Sequence, residues 1–146
     1  MTTDLKALAK DWSWLIDLDR RRLLAISPFG DLLLQDDTGA ISLLDINLGA
    51  VEAATDEGDN PAVLFPISFD DRIAAGYRKA GLLLTEGKCY GYKKQSVVGG
   101  SLKVDNVYIA TMAEYISFMG DFHNQIKDIP DGTDVVLKVI NLKAPH

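Results

Sequence analysis

The chain has one cysteine, Cys89, and two histidines, His123 and His146, and these scarcities exclude a good deal. A lone cysteine forms no internal disulfide. The opening Met1-Thr2-Thr3-Asp4-Leu5-Lys6 lacks the basic start and apolar run of a secretory signal, so a cytoplasmic location is expected. With His146 at the very end, a histidine-based triad or metal site has at most one credible member. His123 stands two residues from Asp121, a spacing at which helical side chains do not face each other, and it reads as a residue at the margin of an apolar stripe. The leucine triplets at 32–34 and 82–84 fall far short of the roughly 20 apolar residues that span a bilayer, so no membrane segment is expected.

Positive charge is missing where negative charge is densest. From Leu23 to Asp71 there is no lysine or arginine, while ten acids fall there, among them Asp31, Asp36, Asp37, Asp45, Asp56, Glu57 and Asp59. Basic residues flank the block, in Arg20-Arg21-Arg22 and from Arg72 onward. A net charge of -6 and a pI near 4.8 argue against direct binding to nucleic acid, which needs a basic surface to displace counterions. The block is either an acidic face for a basic partner or a solvated surface that keeps the protein soluble. It lacks the spacing of a calcium loop, and no metal or other cofactor is expected.

What is present is the composition of an ordinary globular protein, 47% hydrophobic and 25% charged over 146 residues, enough for one domain around one core. Leu5, Leu8, Ala9 and Trp12 recur at helical spacing after Thr2 and Thr3, which are candidate caps. Trp14 to Leu18, Leu23 to Ile26, Asp31 to Gln35 and Ala40 to Ile46 read as strands. Turns at 27–30 and 36–39 would join the last three into an antiparallel meander. Gly49 to Pro66 reads as a helical turn and loop.

Ser68 and Asp71 resemble a capping box before a helix from Phe69 to Ala80. Leu82 to Thr85 and Lys88 to Tyr92 suggest a hairpin around Glu86-Gly87, and Leu102 to Ile109 a further strand. Thr111 and Glu114 form a capping-box pattern ahead of a helix from Met112 to Lys127, whose Met112, Tyr115, Ile116, Met119, Phe122 and Ile126 make one apolar stripe. Thr133 to Ile140 alternates like a closing strand. With no repeated βαβ unit, this order predicts an α+β fold: a mainly antiparallel sheet with helices packed on it.

Gly81 to Cys89 superficially suggests a phosphate loop, but five residues rather than four separate its glycines, and Cys89 stands where a hydroxyl is required. Cys89 is either a thiol activated by Lys88, Lys93 and Lys94 or a small buried residue, the commoner fate in a strand. Gly99-Gly100 either supplies positive φ angles or admits a close backbone approach, and a tight turn is the simpler reading.

Several of these residues also carry a resemblance. Glu86, Cys89-Tyr90-Gly91-Tyr92, Gly99-Gly100 and Asn106, followed by a helix ending in Ile126 to Gly132, resemble the C-terminal domain of type VI secretion immunity proteins that neutralise DNase toxins. Phe29-Gly30-Asp31 and Asp37-Thr38-Gly39 look like that family's early strands. The resemblance implies a non-catalytic protein whose partner is a cognate protein toxin, a basic nuclease. On that reading Asp36, Asp37, Asp56, Glu57 and Asp59 are the interface candidates, because an acidic face can occupy the ground that nucleic acid takes on a nuclease. Glu86, Cys89, Tyr90, Gly91, Gly99, Gly100 and Asn106 are the structural motif. The competing expectations are a scaffold module with an apolar interface, and an enzyme built on Cys89, Tyr90 and His123.

Overall fold

A computed structural model describes residues 4–129. Four strands form the meander β1 (Arg21–Ile26), β2 (Leu32–Asp36), β3 (Ile41–Asp45) and β4 (Ala50–Ala53), antiparallel and in sequence order across the sheet. After them come the one-turn helices α2 (Pro61–Leu64) and α3 (Pro66–Phe69), then α4 (Arg72–Lys79). Strands β5 (Lys88–Tyr92) and β6 (Val107–Thr111) pair antiparallel as a second sheet, and α5 (Met112–Ile126) follows directly. A one-turn helix, α1 (Leu5–Leu8), opens the described chain. The architecture is α+β, as expected.

Strand β2 explains the layering. Successive side chains of a strand point to opposite faces, and here both faces are covered. Leu32 and Leu34 pack with Trp12, Ile116, Met119 and Phe122, so the apolar stripe of α5 lies on that face. Leu33 packs on the other face with Leu43, Leu64 and Phe65, which brings in α2. A third cluster, of Phe29, Ala74, Tyr77, Tyr90, Tyr92 and Val107, joins α4 to the second sheet.

Several local expectations are corrected. Asp4 caps α1, its Oδ1 accepting from the backbone N–H groups of Lys6 and Ala7. Trp14 to Leu18 is irregular rather than a strand, and Trp14, with Trp12 just before the segment, serves α5. The Trp12 indole donates to the Ile116 carbonyl at 2.9 Å and the Trp14 indole to that of Gly120 at 3.2 Å. The segment after Gly49 contains strand β4, held by pairing with β3 rather than by its own apolar pattern.

The helix expected from Phe69 to Ala80 is broken between α3 and α4, where Asp70 is extended. Ser68 does not cap it: the side chain is buried and engaged elsewhere. Leu82 to Thr85 forms no strand; β5 pairs with β6, which begins at Val107 rather than Leu102. Thr111 holds the N-cap position of α5, but its hydroxyl accepts from Lys88 Nζ at 3.0 Å instead of capping. The expected strand at Thr133 to Ile140 lies outside the described residues.

Candidate functional site

The meander gathers the acids. β2 ends at Asp36 and turns back at 37–40, while β4 runs antiparallel to β3 and leaves the sheet at the same end, where the Ala54 amide donates to the Ile41 carbonyl. Asp36 and Asp37 therefore share one end of the sheet with the segment carrying Asp56, Glu57 and Asp59, and all but the half-buried Asp36 are exposed. Asp36 has a local task. Its Oδ1 accepts from the Thr38 hydroxyl at 2.6 Å and from the Thr38 and Ala40 amides, and these bonds, the hydroxyl first, hold its pKa below the usual carboxylate range. The same end is bordered on β1 by basic residues, since Arg21 pairs in register with Asp36. The charge is therefore graded across the sheet, basic at β1 and acidic toward β4.

Asp31, counted in the acidic block, is not on any face. Only 3% exposed, it accepts from the Ser68 hydroxyl at 3.0 Å, the Ile46 amide at 3.0 Å, and more distantly Ser27 Oγ and Asn47 Nδ2. Burial, and secondarily the nearby Asp45 carboxylate, pushes its pKa up to about 8. Asn47 extends the network: its Oδ1 accepts from the Tyr115 hydroxyl at 2.7 Å, and that hydroxyl accepts from the Tyr92 amide at 3.3 Å. One polar chain thus ties the β1–β2 turn, the β3–β4 turn, α3, β5 and α5. The sequence signal for it is an acid placed immediately before the leucine triplet that opens β2.

The family-motif residues are structural in plain ways. Gly91 leaves room for two rings, for a Cβ there would stand 2.8 Å from Tyr108 Cζ and 3.0 Å from Tyr115 Cε1. Gly99 has φ +95°, and a Cβ on Gly100 would lie 1.8 Å from the Lys94 carbonyl oxygen, so the pair uses both freedoms that glycine offers. Asn106 closes the same loop: its Oδ1 accepts from the Lys94 amide, and its Nδ2 donates to the carbonyls of Lys94 and Ser101. Glu86 is exposed in the turn before β5.

The three residues of the enzyme reading do not converge. Cys89 and Tyr90, adjacent in β5, belong to different core clusters, and both are fully buried. Burial raises the Cys89 pKa to about 12, opposite to activation by the neighbouring lysines. His123 is buried between Trp12, Phe122 and Gly49, and burial lowers its pKa. Among the described residues no group of three His, Cys, Asp or Glu side chains is placed to hold a metal ion, and no helix is long and apolar enough to cross a membrane.

These elements meet a known pattern. Residues 70–123 match the family model described as T6SS immunity protein Tdi1, C-terminal, which agrees with the resemblance read from the sequence. The match takes in α4, β5, β6 and most of α5, with every motif residue from Glu86 to Asn106. It supports an immunity role. The five interface candidates lie outside it, on the meander. No curated protein matches the chain.

Proposed function

We propose that this protein is a non-catalytic immunity protein that binds and neutralises a cytotoxic effector of a type VI secretion system in the cytoplasm of the cell that makes it. The effector is a basic nuclease, and the contact surface is the acidic end of the meander. The observation that supports this most is that Asp37 shares one end of a sheet with the segment carrying Asp56, Glu57 and Asp59, in a chain whose residues 70–123 match an immunity-family model. Such an end attracts a basic partner over long range and covers the surface where that partner would take phosphates. The electrostatics require no buried charge, since these acids are exposed.

The test is co-purification of the tagged chain with the product of the adjacent gene at low and high salt. It is repeated with Asp37→Asn, Asp56→Asn, Glu57→Gln and Asp59→Asn combined, leaving Asp36 to hold its turn. A complex that forms at low salt, weakens at high salt and is slower to form with the variant supports the proposal. A complex indifferent to both removes the acidic end from it.

A second reading, a scaffold module with an apolar interface, has one observation in its favour. Val63 on α2 and Ile67 on α3 are exposed, Ile67 at 80%. It predicts binding that is lost on Ile67→Asp and insensitive to salt.

A further inference from the structure

The sheet has a second feature at its opposite edge. β1 hydrogen-bonds with β2 along one side, and among the described residues no strand pairs with its other side. An open groove of about 750 Å³ runs beside it, lined away from β1 by Leu5 and Leu18 together with Asp4, Lys6 and Asp19. Along β1 the lining includes the consecutive Arg21, Arg22, Leu23 and Leu24 and then Ile26. The register of β1 shifts between Leu23 and Ala25, and Leu23 and Ile26 pack toward one core cluster while Leu24 packs toward another, so the groove follows the strand's edge rather than either face of the sheet. An open edge offers alternate backbone N–H and C=O groups to another extended chain. The apolar lining, with Leu23, Leu24 and Ile26 each only half-buried, supplies the side-chain contacts.

Charge specifies the occupant further. Of the guanidinium groups of Arg21 and Arg22, which line the groove, and of Arg20, which immediately precedes β1, none is paired with a carboxylate among the described residues. Arg21 Nη1 donates to the Asp17 carbonyl, Arg22 donates to Gln35 Oε1, and Arg20 is exposed. Arg21 Nε is buried and has no hydrogen-bond partner among the described residues. The acids bordering the groove are partly occupied already, as Asp19 pairs with Lys6 at 2.6 Å and Asp4 caps α1.

We propose that this groove is a binding site for an extended peptide segment of a partner protein, which adds to β1 as a further strand. Its apolar side chains enter beside Leu23, Leu24 and Ile26, and one or two acidic residues meet Arg20, Arg21 and Arg22. Antiparallel addition puts the acids at the segment's C-terminal end. The groove lies along β1, at the edge of the sheet away from β4; its arginines border the acidic end at Asp36, but the site needs no assumption about an immunity role.

Fluorescence polarisation of the full chain with a short labelled peptide, alternating valine and threonine and ending in two glutamates, tests it. The expected result is micromolar binding that is abolished when alternate peptide amides are N-methylated. Arg20→Gln with Arg22→Gln, two exposed changes compatible with folding, should weaken it about tenfold. No binding, or equal binding of the N-methylated peptide, overturns the proposal. A dimer seen by sedimentation that excludes the peptide also overturns it, because a second copy is then the occupant.

Discussion

The Ser68 hydroxyl donates to the Asp31 carboxylate at 3.0 Å across 37 positions of sequence, joining α3 to the β1–β2 turn beneath the sheet. Ser68 is thereby engaged with a buried acid inside α3 and does not cap the following helix, and the chain breaks between α3 and α4 at the extended Asp70. Ser68→Ala should lower stability by about 1–3 kcal/mol, because one oxygen of the buried Asp31 carboxyl group then keeps only the long contact to Ser27. Urea unfolding measures the loss. A change within error would mean that Asp31 is satisfied without it.

The same carboxylate sets a pH dependence. Its folded pKa, near 8, lies above the value of 3.8 for a free aspartate, so the folded state holds a proton that the unfolded state releases. That contribution is complete below about pH 4 and is lost as pH rises toward 8, with a slope of at most about 1.4 kcal/mol per pH unit. His123 acts in the opposite sense. Its folded pKa is below 6.5, so its contribution is present above pH 6.5 and lost as pH falls. Asp31→Asn keeps an acceptor for the Ile46 amide and supplies donors toward hydroxyls that can turn to accept. It should therefore remove the decline in stability between pH 6 and 8 while leaving the acid limb. A wild-type stability that is flat over that range would refute the assignment.

The meander and α5 were legible in the sequence because alternation, turn residues and one long apolar stripe are local signals. The acidic block was legible as composition but not as geometry. Its members serve different purposes: Asp31 is a buried tie, Asp36 and Asp45 shape turns, Asp70 and Asp71 pair with Arg72 and Arg78, and Asp37, Asp56, Glu57 and Asp59 are open to solvent. Only the antiparallel path of β4 shows that Asp37 shares an end with the segment carrying Asp56, Glu57 and Asp59. β4 itself was missed because the four residues from Ala50 to Ala53 carry no buried face; pairing with β3 defines them. The partner of β5 was missed for a similar reason, since Leu82 and Leu84 look like a strand but are spent against the Tyr77 and Tyr90 cluster.

Cys89 tests the enzyme reading from the side of reactivity. The nucleophile is the thiolate, and a fully buried thiol with a pKa near 12 supplies almost none at neutral pH. Native protein at pH 8 should react with a thiol reagent only as fast as it opens, and reaction should become fast in denaturant. Rapid labelling of the folded chain would contradict the burial of β5.

The Gly99-Gly100 loop distinguishes two uses of glycine within one motif. At Gly99 the cost of a side chain is conformational, since φ is +95° while the nearest atoms are the flexible end of Lys94, at 3.6 Å. At Gly100 the obstacle is the Lys94 carbonyl itself, 1.8 Å from where a Cβ would stand, and backbone held by Asn106 on both its N–H and C=O cannot step aside. Gly99→Ala should therefore cost about 1–3 kcal/mol with the loop intact. Gly100→Ala should cost more and open the loop, because the Gly100 amide would lose the Gln95 carbonyl at 2.9 Å. Hydrogen exchange resolves the two: the Gly100 and Lys94 amides should stay protected in the first variant and exchange rapidly in the second. Asn106→Asp, which deletes both side-chain donors, should reproduce the second pattern without adding any atom to the crowded contact. Equal protection in all three would show that the loop is held from elsewhere.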